Sequence, residues 1–225
     1  LQRTLRRLNG APAAPWLHGE VARRMAERLA VIRAQPDVVA DWGAFLGASR
    51  AALRSAYPRA KWMAVEGDEA RRSAAAKALA PSWWALGRSR DMVSAPADLA
   101  IGQAQLLWSN MGLHFAADPP AEIAAWHRAL AVDGFLMFST LGPGTLTVLR
   151  ELYLAEGWGE PFAAFVDMHD LGDMLVEAGF GEPVMDQETV TLTWATPEAA
   201  LAELRALGAN AASSRHAGLR TPRWR

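Results

Sequence analysis

The sequence contains no cysteine, which excludes disulfide scaffolds, thiolate zinc sites and cysteine nucleophiles. It has no surplus of either charge. With 23 basic and 24 acidic side chains the formal net charge is -1, so no global field draws nucleic acid or an anionic membrane, and neither is expected as a partner. No run approaches the ~18 apolar residues of a membrane span, and the start LQRTLRR is not followed by the apolar stretch of a signal peptide. The cytoplasm is therefore the expected compartment. His18, His114, His127, His169 and His216 show no HxxxH spacing, so no catalytic metal is expected, and without a Gly-Lys-Ser/Thr there is no P-loop. What the chain does have is apolar bulk: 51% of its 225 residues are hydrophobic, enough for one large domain with a substantial core.

Val21, Met25, Leu29 and Ile32 recur at helical spacing between Gly19 and Gln35, and Pro36 closes that helix. A short apolar strand over 37–41 follows, then the turn DWGAFLGAS, then helical spacing over 48–57. The run over 61–66 is apolar without alternation, as in a strand covered on both faces, and a helix over 68–79 comes next. The unit recurs with a strand over 106–109 and a helix opened by Asp118-Pro119-Pro120. Asp133-Gly134 then turns the chain into a strand over 135–140. Helices over 145–155 and 169–178 precede Thr189 to Trp194, whose strict alternation predicts a strand with one wet face. Thr196-Pro197 caps a last helix ending near Gly208. Strands alternating with helices imply a doubly wound α/β sheet, whose ligands bind beyond the carboxyl ends of the strands near the topological switch point.

The turn after the first strand is the first place to look for such a ligand. Gly43 and Gly47 bracket Ala44-Phe45-Leu46, and Glu66 ends the next strand. Glycine lets backbone approach a nucleotide-like cofactor, and an acid at the following strand end accepts ribose hydroxyls. Taken alone, the turn also reads as an ordinary strand-to-helix connection, because it lacks a closely spaced GxG pair and contains bulky Phe45 and Leu46.

Downstream, LLWSNMGLHFAADPP, AAWHRALAVDGFLMFSTLGPGTL and FVDMHDLGDMLVEAGFGEPVMDQETVTLTW resemble the malonyl-acyl-carrier-protein O-methyltransferases of biotin synthesis, a branch of the class I S-adenosylmethionine-dependent methyltransferases. WLHGEVARRMAERLAVI resembles the leading helix of that family, and the likeness runs over about residues 16 to 220. The resemblance implies a Rossmann-like sheet, S-adenosylmethionine as cofactor, and an acyl carrier protein bearing malonyl as partner. It places Asp41, Gly43 and Gly47 in the cofactor loop, Glu66 on the ribose, and Ser109 and Asn110 after the fourth strand. The chain departs from the family in three respects. The glycine-rich loop is reduced to Gly43 and Gly47, Gln105 or a neighbour replaces the aspartate common before the fourth strand, and the family continues past this C-terminus into a further strand. The expected sheet therefore stops short of its final C-terminal strand, or the chain is a fragment. Two other readings stay open: an interaction module that kept the sheet and lost the cofactor, and a methyltransferase for another small carboxylate.

A malonyl carboxylate is already ionised near neutral pH, so its methylation needs alignment and removal of water rather than a general base. His114 is a candidate for positioning that carboxylate or a packed structural histidine, and Trp16 is a candidate lid or an anchor for the leading helix. Arg150 could face an anionic substrate or solvent, and Asp167 or Asp170 reads as a helix cap rather than part of a metal cluster. The expected organisation is a flexible basic segment over 1–15, a methyltransferase-like domain over 16–208 and a basic segment over 209–225. Arg3, Arg6, Arg7, Arg215, His216, Arg220, Arg223 and Arg225 give these ends a local surplus, either solvated tails or a steering patch for an acidic carrier protein.

Overall fold

The short apolar strand before the glycine turn, the apolar run over 61–66 and the strand that carries Ser109 and Asn110 become neighbouring strands of one parallel sheet. The computed structural model describes residues 2–80 and 91–208. Its elements run α1 (Gln2–Asn9), α2 (Trp16–Glu27) continued by a 3-10 turn over Arg28–Val31, β1 (Val38–Trp42), α3 (Ala44–Gly47), α4 (Arg50–Ala56), β2 (Lys61–Val65), α5 (Glu69–Leu79), β3 (Met92–Ser94), β4 (Ala104–Asn110), α6 (Pro119–Ala129), β5 (Leu130–Ser139), α7 (Thr147–Ala155), α8 (Met168–Glu177) and α9 (Pro197–Ala206). The strand order is β3-β2-β1-β4-β5 and every pairing is parallel. The order reverses between β1 and β4, which is the switch point of a doubly wound sheet.

The period of two along each strand divides the core into two layers. Ala40, Met63, Val65 and Leu107 face one way and pack with Ile123 and Trp126 of α6 and Leu171 and Leu175 of α8. Val39, Trp62, Ala64, Leu106 and Trp108 face the other way, against Met25 of α2, Leu29 after it and Leu53 of α4. Burial on both faces explains why these strands read as continuous apolar runs. Asp118 caps α6, its Oδ1 accepting from Ala121 N at 3.0 Å, and Asp167 caps α8 by accepting from His169 N at 2.9 Å.

Three expectations change, and one strand had no counterpart among them. The segment expected to be a flexible tail over 1–15 is largely helical: Thr4 and Leu8 lie one turn apart on the buried face of α1, which packs beside α3. The three-residue edge strand β3 lay too short in the sequence to register as a period. Asp133-Gly134 is an excursion inside β5 rather than a turn before it. The register with β4 shifts between Ala104 and Leu106, and a side chain at Gly134 would stand 2.9 Å from the Ala131 carbonyl oxygen. Thr189 to Trp194 keeps its alternation, with Val190, Leu192 and Trp194 half-buried and the three threonines exposed, yet it joins no ladder among the described residues. A strand requires a neighbour for its backbone bonds, and β5 pairs only with β4 there. The basic segment 209–225 lies outside the described residues. Among those described, no helix is long and apolar enough to cross a membrane.

Candidate functional site

Beyond Trp42 the chain must leave β1 sharply, and Gly43 does so at φ +74°, its N–H donating to Val65 O at 2.8 Å so that the turn is tied to the end of β2. A Cβ at Gly43 would meet nothing within 4 Å, so the backbone there faces open space. The single turn α3 follows, closed by Gly47 N donating to Gly43 O at 2.8 Å. Gly47 lies beside Ser49 and Asn110, where a Cβ would make ordinary contacts of 3.4 Å to Ser49 Oγ and 3.6 Å to Asn110 Cβ.

Glu66, one residue past β2, is buried and turns toward the same loop, with Oε1 accepting from Phe45 N at 2.6 Å. Burial pushes its carboxyl up, while the Phe45 N–H and the guanidinium of Arg71 hold it back. Arg71 also lies over the Phe45 ring, 3.3 Å from its centroid, and donates to Ala11 O at 2.6 Å, joining the segment after α1 to the loop. Asp41 is fully buried on β1. Its Oδ2 accepts from Trp62 Nε1 at 3.2 Å, whereas Oδ1 has no partner. Burial raises it to about 7, against the Trp62 bond and with a further push from Glu66.

At the end of β4, Ser109 Oγ is buried and unpartnered, and Asn110 knots four elements together. Asn110 Nδ2 donates to His18 O at 2.7 Å and Gly47 O at 2.6 Å, and its Oδ1 accepts from Ser139 Oγ at 2.7 Å. The six residues nominated for the cofactor, Asp41, Gly43, Gly47, Glu66, Ser109 and Asn110, thus converge on the carboxyl ends of β1, β2 and β4. A left-handed glycine facing open space, beside the Glu66 carboxylate that accepts from the same turn, fits a polar nucleotide-like ligand.

His114 lies four residues beyond β4 on the wall of a separate cavity of about 80 Å³, with Leu113, Thr140, Phe165, Val166 and Leu171. Burial lowers its imidazole to about 3, with a smaller push from His18. Trp16 is not brought to these strand ends by any described contact; it opens α2 at 53% exposure. Arg150 is engaged elsewhere, near Glu160 at 3.6 Å and over the Phe162 ring at 5.0 Å. Among the described residues no group of three or more His, Cys, Asp or Glu could hold a metal ion.

Several residues of the site were missed in the sequence. His18 Nδ1 donates to Leu46 O at 2.7 Å, and Ser49 Oγ accepts from Trp108 Nε1 at 2.7 Å, so both hold the turn from behind. Each contact spans a long stretch of chain, and no local pattern marks such residues.

No family model matches the chain. Relatives do. The malonyl-acyl-carrier-protein O-methyltransferase of Gallionella capsiferriformans is 38% identical over 221 residues, covering 95% of this chain and 76% of that protein. The enzyme of the same name from Laribacter hongkongensis is 39% identical over 222 residues, covering 90% and 71%. Among solved structures, the Haloferax volcanii methyltransferase complexed with the Trm112 activator aligns with a TM-score of 0.51 at 16% identity, over 88% of this chain and 93% of that one. A SAM-dependent methyltransferase of Thermotoga maritima aligns at 0.50 and 17% identity, over 74% of each chain. These likenesses show the class I methyltransferase fold.

Proposed function

Since the chain belongs to the malonyl-acyl-carrier-protein O-methyltransferases, we propose that it methylates the carboxylate of a malonyl group on acyl carrier protein, with S-adenosylmethionine as donor, in the supply of a biotin precursor. The observation that carries the reading is the convergence of Asp41, Gly43, Gly47, Glu66, Ser109 and Asn110 at the switch point of the sheet. When bound, S-adenosylmethionine supplies a methyl carbon on a positive sulfur, so that a carboxylate oxygen gains the O–CH3 bond, the C–S electron pair stays on sulfur, and no proton moves.

The chain's own residues have three tasks. Glu66 offers an acceptor for the ribose hydroxyls, and Gly43 leaves its backbone open to approach. Asn110 fixes the distance between the turn and β4, so the turn is held in place before any ligand binds. The apolar walls beyond β4 keep water from the nucleophile.

Titration calorimetry with S-adenosylmethionine and S-adenosylhomocysteine tests the reading. Glu66→Gln retains an acceptor for Phe45 N but loses the carboxylate, and it is expected to weaken binding by about 1 to 3 kcal/mol. A folded wild-type protein that binds neither ligand would overturn methyl transfer in favour of an interaction module. Unchanged affinity in the Glu66 variant would remove Glu66 alone from the site.

A further inference from the structure

The cavity beyond β4 and β5 has a composition that the cofactor site does not explain. Its volume of about 80 Å³ is several times the ~10–15 Å³ that one water needs. It is well below the ~300 Å³ at which whole-ligand pockets begin, so it suits the reacting end of a substrate. It stands beside the cofactor turn, because the wall residues His114 and Thr140 follow closely on Asn110 and Ser139, whose side chains are bonded to each other and, through Asn110, to Gly47. Met111, between Asn110 and His114, takes a left-handed φ of +54°, costly for a residue with a side chain, and it is pinned there by bonds from its N–H to Ser139 O and Oγ, both 3.1 Å.

Two of the residues that line this space, His114 and Thr140, carry polar side chains; the other described lining residues are apolar and none is cationic. His114 Nδ1 is buried without a hydrogen-bond partner, and the ring is fixed by Phe115 at 4.1 Å and edge-on by Phe165 at 5.9 Å. A buried nitrogen with no partner is costly unless a ligand supplies one.

Resting on carboxyl methyl transfer as the activity, we propose that this cavity seats the acceptor carboxylate and that His114 and Thr140 hold it as neutral hydrogen-bond donors, in place of a cation. The chemistry favours that choice. In the reaction a carboxylate and a sulfonium lose their charges together, so an arginine or lysine paired with the carboxylate would stabilise the reactant more than the transition state. A neutral donor orients one oxygen without quenching the other, and apolar walls raise the reactant rather than the charge-dispersed transition state. Burial keeps His114 uncharged throughout the working range, which suits it to this role. The pocket thereby selects a small carboxylate on a short arm and has no charged partner for the neutral ester product.

The experiment measures kcat and KM for a small malonyl thioester, together with S-adenosylhomocysteine affinity by calorimetry, in His114→Leu, His114→Gln and Thr140→Val. His114→Leu is expected to lower kcat/KM by about tenfold to a hundredfold, with His114→Gln recovering most of the loss through its amide N–H. Thr140→Val is expected to raise KM severalfold, and all three should bind S-adenosylhomocysteine like the wild type. Folded variants with unchanged kcat/KM would overturn the proposal, as would a glutamine no better than leucine. Should the leucine variant fail to fold, Thr140→Val and the glutamine rescue decide. A wild-type protein that binds S-adenosylhomocysteine but methylates no carboxylate would instead strike the parent reading.

Discussion

Asp41 sits where burial works against its own charge. Its carboxyl is fully buried with one oxygen bonded to the Trp62 indole and the other unpaired, and it rises from 3.8 to about 7. An acid raised in the folded state binds more protons there than in the unfolded chain over the interval between the two values. Stability is therefore greatest below about pH 4 as far as this group is concerned, and it falls as pH rises toward 7. At ~1.4 kcal/mol per unit, the difference is at most about 4 kcal/mol. Asp41→Asn keeps an acceptor for Trp62 and abolishes the ionisation, so the variant should exceed the wild type in stability at pH 8 and converge with it toward pH 4. Glu66 and Glu122, also raised by burial, give a slope of the same sign, and so the difference between the two proteins is the quantity to follow by denaturant unfolding. Parallel curves across this window would show that Asp41 is not the buried acid. The family resemblance nominates Asp41 as part of the cofactor loop. Its bond to Trp62 was hidden, because that contact depends on the register that sets Trp62 beside Val39, on the same face as Asp41.

Among elements, β5 separates what periodicity can reveal from what it cannot. Its apolar run over 135–139 was legible, but the excursion at 131–134 was read as a turn, since Asp-Gly signals a reversal and also tolerates a bulge. Asp133 takes φ +62°, and Gly134 lies where a Cβ would meet three backbone carbonyls, at 2.9, 3.1 and 3.2 Å. These atoms belong to β4 and β5 and cannot swing aside as a side-chain tip could. Gly134→Ala is therefore expected to cost about 1 to 3 kcal/mol in unfolding free energy, on the scale of core overpacking. Gly142→Ala, with nothing within 4 Å, should lie within about 0.5 kcal/mol of the wild type. Thermal unfolding of the two variants side by side makes the comparison, and equal melting temperatures would mean that β5 is not pinned at this point. Thr189 to Trp194 teaches the complementary lesson: strict alternation records which side chains seek the interior, not whether a neighbouring backbone is present to complete a ladder.

At the scale of the whole molecule, a net charge of -1 leaves the capture of any charged partner to local imbalance. The basic residues along α2 do not supply it: Arg23, Arg24 and Arg28 are matched by Glu20, Glu27, Asp186 and Glu188, which also fasten the segment before Thr189 to this helix. Exposed ion pairs of this kind add little to stability, yet they cancel the field that an acidic carrier protein would sense. The surplus lies at Arg3, Arg6 and Arg7 and at the five basic residues between Arg215 and Arg225, a distribution that the sequence alone displays. If these ends steer the carrier, raising salt from about 0.05 to 0.5 M shrinks the Debye length from roughly 14 Å to about 4 Å and screens an attraction acting over the approach of two proteins. The second-order rate with malonyl on acyl carrier protein should then fall by about tenfold or more. The rate with a small malonyl thioester, which gains nothing from remote charge, should change less than twofold. Replacing Arg3, Arg6 and Arg7 by glutamine should lower the carrier-protein rate at low salt and flatten its salt dependence, leaving the small substrate untouched. Equal salt slopes for both substrates would mean that the basic ends take no part in docking.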